Sequence, residues 1–166
     1  MRVATEMGIL AGVVLMAGSA YAQAEQESAA TFHRLDFVTR ELEENRVVNT
    51  RNYSVIVSDK GGNSIRTGTK VPVPTGSGTT YVDVGMNIDC RDVHESQGQL
   101  ILNVSADIST LLGETQSDSN RPPMIHQYKW ASQVMVPLRK ATLIYSSDDP
   151  ASKRKLQVEV TATPVK

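Results

Sequence analysis

One cysteine, Cys90, stands in the 166 residues of this chain. A single thiol cannot build an internal disulfide framework, so packing has to hold the fold. Aromatic residues are scarce, at 5% with one tryptophan, so any core is built mainly from aliphatic side chains. Formal net charge is −1. So neutral a chain has no electrostatic reason to bind nucleic acid or an anionic membrane surface. Nucleophile-elbow, phosphate-loop, dinucleotide and zinc-protease spacings are absent. The histidines at 33, 94 and 126 are scattered. Nothing in the pattern assigns a catalytic residue, a cofactor-binding residue or a metal ligand, and the expectation is a protein that is not an enzyme and carries no cofactor.

Long apolar runs are missing too. Met7 to Gly18 is the longest, and it is shorter than the roughly 20 residues a membrane-spanning helix needs. Arg2 precedes it, and Ala20-Tyr21-Ala22 follows as a small-x-small site. That order is expected of a secretory signal peptide over residues 1–22. Residues 23–31 are polar and small, a flexible leader. Residues 32–166 are then one domain, long enough to bury a core. Insertion into a membrane by short amphipathic strands stays open, because that signal is weak in any one segment.

What the sequence has is alternation. Val82, Val84, Met86, Ile88 and Cys90 fall on one parity, and Tyr81, Asp83, Gly85, Asn87 and Asp89 on the other. Leu100, Leu102, Val104, Ala106 and Ile108 repeat the pattern, as do Leu156, Val158, Val160 and Ala162. Tyr53, Val55 and Val57 share a face, and so do His126, Tyr128, Trp130, Val134 and Val136. Period two is the mark of a half-buried strand. Turn clusters separate the runs: residues 43–46, Gly61-Gly62-Asn63, Ser96-Gln97-Gly98, residues 137–140 and Asp148-Asp149-Pro150. Gly68 to Gly78, with Pro72 and Pro74, reads as a loop after a short strand at 64–66. Residues 113–123 read as a long polar loop. The expectation is an all-β domain of antiparallel strands and hairpins, as a curved sheet or sandwich.

Three local groups bear on function. Cys90, Asp92 and His94 would share one face of a regular strand and could then converge on a transition metal. Cys90 continues the apolar row, however, and Asp92 and His94 approach a turn, so core followed by turn is preferred. Asp148 to Lys155 reads as a charged, solvated hairpin turn that blunts a sheet edge. Tyr128 and Trp130 share a face, with core packing as their expected role.

The order of segments resembles the core domain of the secretins, the multimeric outer-membrane channels of type II and type III secretion systems and type IV pilus machines. NTRNYSVIVSDKGGNSIRTG (49–68) is similar to a secretin strand, turn and Ile-Arg-x-Gly segment. TKVPVPTG (69–76) resembles the family's Val-Pro…Thr-Gly loop, and YVDVGMNIDC (81–90) its Tyr-x-Asp-Val-Gly strand. GQLILNVSADISTL (98–111), residues 123–136 and residues 141–146 resemble the next strands, and VEVTATPV (158–165) the last. The resemblance implies a reduced secretin core without the N-terminal periplasmic domains, with DDPASKRK in place of a long apolar-tipped insertion. It implies a non-enzymatic subunit or accessory of an outer-membrane secretion or pilus assembly. The alternative is a soluble periplasmic binding or scaffold module of the same fold. Implied partners are further copies or secretion-system proteins, met through strand edges, and the implied place is the periplasm or outer membrane of a Gram-negative-type bacterium.

Overall fold

A computed structural model describes residues 29–112, 124–150 and 153–165. The expected signal peptide, most of the leader and the loop at 113–123 lie outside the described residues. Eight strands follow in order: β1 Phe32–Glu43, β2 Arg46–Ser58, β3 Asn63–Thr75, β4 Gly78–Ser96, β5 Gln99–Leu112, β6 Met124–Pro137, β7 Thr142–Asp148 and β8 Arg154–Val165. They form two four-stranded antiparallel sheets, ordered β2-β1-β8-β7 and β3-β4-β5-β6. The second sheet is an unbroken meander. The first joins the outer parts of the sequence, with β1 and β8 as its central pair.

The sheets pack face to face, as the alternation requires. Leu35, Phe37 and Val57 meet Leu156, Val158, Val160 and Ala162 on the inner side of one sheet. Met86, Ile88, Cys90, the row Leu100 to Ile108, Val134 and Val136 supply the other. Burial of apolar surface at roughly 25 cal/mol per Å² is the main stabilising term for such a layer. Trp130 stacks on Tyr145 with ring centroids 5.0 Å apart and planes 7° off parallel, which caps the core between β6 and β7.

Tight turns join the strands where the sequence marks them. Glu44 and Asn45 have φ of 49° and 66°, and Gln97 and Gly98 have 51° and 73°. Left-handed pairs of this kind twist in the sense that antiparallel hairpins need.

The structure corrects one local expectation. Gly68 to Gly78 is not a loop. Its first part completes β3, which pairs with β4 from Asn63↔Cys90 to Thr75↔Gly78, and only Gly76 and Ser77 turn. Pro72 and Pro74 are tolerated because β3 is an edge strand, with no neighbour among the described residues to which their missing N–H groups would donate.

Candidate interface: open strand edges and a hairpin arm

The group Cys90, Asp92 and His94 is pulled apart by a bulge. Arg91 pairs with Asn103 and His94 with Ile101, so β4 carries one extra residue between them. Asp92 takes φ of 53° there. The parity flips, and Val93 turns into the core beside Cys90 while Asp92 and His94 face outward. The Asp92 carboxylate accepts from Asn103 Nδ2 at 2.6 Å. Among the described residues, no cluster of three His, Cys, Asp or Glu side chains is placed to hold a metal ion.

Cys90 is 1% exposed. Burial, with a smaller effect from the Asp89 carboxylate, pushes its thiol up from 9.0 to about 12. The folded state therefore holds this proton more tightly than the unfolded state. The stability so gained is complete below about pH 9 and is lost as pH rises towards 12, by about 4 kcal/mol in all. Comparing urea unfolding of wild type with Cys90→Ala between pH 8 and pH 11 isolates it, since the other alkaline titrations are common to both. A difference that does not change with pH contradicts this account of the thiol.

Ion pairs divide by type. Arg40–Glu159, Arg66–Asp89, Lys70–Asp83, Lys129–Asp107 and Lys155–Asp148 each join strands of one sheet. Two histidine pairs cross from sheet to sheet. His33 on β1 meets Glu95 on β4 at 2.9 Å, and His126 on β6 meets Asp149 after β7 at 3.1 Å. They sit at opposite ends of the sandwich. Asp149 corrects the reading of the 148–155 turn as fully solvated: it is 6% exposed and lies against His126. Beside it, Tyr128 has its phenol raised by partial burial first, then by Asp149, Glu41 and Tyr145.

The outermost strands of the two sheets are their edges. β2 and β7 border one sheet, β3 and β6 the other. They are not equally protected. β7 is short and bulged between Leu143 and Tyr145. β3 carries the two prolines, and β6 carries Lys129. β2 has 13 residues with no proline, glycine or lysine, and Val47, Val48 and Ile56 are exposed on it. Its bulge, at Val48, leaves Asn49 to Ser58 in unbroken register with β1, and an edge run of that length without proline, glycine or lysine is a template for another strand.

A second feature is the β3–β4 hairpin. β4 pairs with β5 only from Met86↔Ile108 onward, so Thr69–Thr75 and Gly78–Val84 form a two-stranded arm beyond that ladder. Seven residues of strand give it a reach of about 23 Å. At its root Gly68 pairs with Gly85. A Cβ on Gly68 would stand 2.6 Å from the Val84 carbonyl oxygen, and one on Gly85 would strike the Thr67 carbonyl oxygen and the Gly68 Cα. The backbones cross closely there, and only two glycines fit. Where β5 leaves β4, the Ser109 hydroxyl takes over: Gly85 N–H donates to Ser109 Oγ at 2.9 Å, and that hydroxyl lies 3.4 Å from the Gly85 carbonyl. Ser109 is buried. Ser109→Ala should cost about 1–3 kcal/mol, because it strands a part-buried donor. The check is faster hydrogen exchange at the Gly85 amide with a lower urea midpoint; an unchanged amide would remove this role.

No protein-family model and no curated protein matches the chain. Solved structures do. The type II secretion secretin XcpQ of Pseudomonas aeruginosa aligns with a TM-score of 0.50 and 13% identity, over 82% of this chain and 56% of that one. Aeromonas hydrophila ExeD gives 0.50 and 10% identity, over 82% and 46%. The Klebsiella pneumoniae type II secretion outer-membrane complex of PulD, PulS and the PulC HR domain gives 0.51 and 9%, over 82% and 39%. The chain thus shares a secretin-like fold and spans about half the length of the structures it resembles, or less.

Proposed function

We propose that this chain is a non-enzymatic, exported secretin-like β-domain that works as a subunit or accessory of an outer-membrane secretion or pilus assembly. It joins further copies of itself, or secretion-system proteins, through its strand edges in the periplasm or at the outer membrane. The observation that carries this reading is the β2 edge, long and without proline, glycine or lysine, on a fold shared with secretins. β2 and β7 are opposite edges of one sheet. A contact between unlike edges repeats head to tail and closes into a ring when the rotation allows.

The test is the size of the purified exported protein by light scattering and electron microscopy, with cell fractionation to place it. The expected result is a large particle that sediments with the outer membrane. Paired lysines at Val48 and Ile56 should dissolve it by placing charge on the edge. A monomer of roughly 16 kDa in the soluble periplasm would overturn the assembly reading and leave a soluble scaffold module.

A further inference from the structure

The two edges of the hairpin arm differ in what they offer a partner. The hairpin closes over Gly76 and Ser77, with Thr75 opposite Gly78 and then Pro74 opposite Thr79, down to Lys70 opposite Asp83. In an antiparallel ladder one residue's N–H and C=O point to the same neighbour, and the direction alternates along the strand. Thr75, Val73 and Val71 therefore turn theirs to β4, and Pro74, Pro72 and Lys70 turn theirs outward. On β4, Gly78, Thr80 and Val82 face β3, while Thr79, Tyr81 and Asp83 face away. Gly85 comes next in that outward series, and its N–H does reach across to Ser109 on β5.

Proline has no N–H, so the outer edge of β3 presents three carbonyls but one donor, at Lys70. The outer edge of β4 presents a donor and an acceptor at each of Thr79, Tyr81 and Asp83. Among the described residues no strand pairs with it there, because the ladder with β5 begins only at Met86↔Ile108. Thr79 to Asp83 are all exposed or half-buried and rich in β-forming types. One edge is closed by its prolines; the other is open.

We propose that the open β4 edge of the arm pairs with the same edge of a second copy, antiparallel and centred on Tyr81. Two arms then form one four-stranded sheet with the proline strands outside. This register sets Tyr81 opposite Tyr81 of the second copy and Thr79 opposite its Asp83, and every free donor meets an acceptor. Shifting the centre to Asp83 opposes two carboxylates, and shifting it to Thr79 leaves Asp83 unpaired. Pairing with the β3 edge of a second copy leaves carbonyls without donors. Charge does not oppose the union: Val71 to Val82 holds no charged residue, and Lys70 Nζ lies 2.8 Å from Asp83 Oδ1. The contact uses neither β2 nor β7, so it stands apart from the assembly proposed above.

The test is disulfide trapping in the full exported chain. Cys90 is buried and stays in place as an inert thiol, with wild type as the control. Hydrogen-bonded antiparallel pairs hold their Cα atoms about 5.5 Å apart, within disulfide reach. Mild oxidation of Tyr81→Cys should give a covalent dimer, whereas Lys70→Cys, on the closed edge with both prolines kept, should give none. Tyr81→Pro, which removes the central donor, should abolish cross-linker-trapped dimer while circular dichroism stays native. Each effect should persist in the paired Val48 and Ile56 lysine variant that lacks large particles. Absence of the Tyr81→Cys dimer, or an equal yield from Lys70→Cys, overturns the proposal.

Discussion

Gly85→Ala and Gly85→Val should each lower stability by about 3 kcal/mol, and by similar amounts, because the Cβ common to both is what collides. That atom would meet the Thr67 carbonyl oxygen and the Gly68 Cα, with the Thr67 carbonyl carbon at 2.9 Å. These are backbone atoms, so no rotamer change relieves the contact. β3 must swing away from β4, and the pairs that flank Gly68↔Gly85 go with it. Gly76→Ala is the control: no atom lies within 4 Å of its added Cβ. It should stay within about 0.5 kcal/mol of wild type. Urea unfolding of the three variants decides the matter, and a Gly85→Ala midpoint equal to wild type would show that the crossing is looser than described.

Phe37→Ala should be costlier still, at about 3–5 kcal/mol. Phe37 is 0% exposed and heads the fully buried side chains by volume. It lies on the central strand β1, opposite Tyr53 on one side and Val160 on the other. Domains of this size have about 5–15 kcal/mol of stability in total, so this single change removes a large share. Phe37→Leu, which keeps most of the volume, should cost less than about 1.5 kcal/mol. Thermal unfolding of the pair tests it: Phe37→Ala should melt well below Phe37→Leu. Equal melting temperatures would mean that the site collapses freely around the cavity.

The candidate interface was only partly legible in the sequence. Pro72 and Pro74 signal an extended segment, but a loop and an edge strand look alike until a neighbour is known. The Cys90, Asp92 and His94 spacing holds only for an unbroken strand, and the bulge at Asp92 is set by the pairing with β5. His126 and Asp149 lie 23 positions apart, and nothing local marks them as a pair. The resemblance to secretins was readable from the order of segments, and the solved structures support it at the level of the fold.

By itself the sequence determined which side chains are apolar, which parity they occupy and where the chain turns. Those are local properties. A period of two sorts residues into two faces, and glycine, asparagine or proline sets the turn geometry nearby. Only the tertiary structure decided which sheet each strand joins, which edges stay open and where two backbones touch. Those choices depend on contacts between residues far apart in the chain: β1 meeting β8, Ser109 taking the place of a strand at Gly85, and two histidines reaching from one sheet to the other.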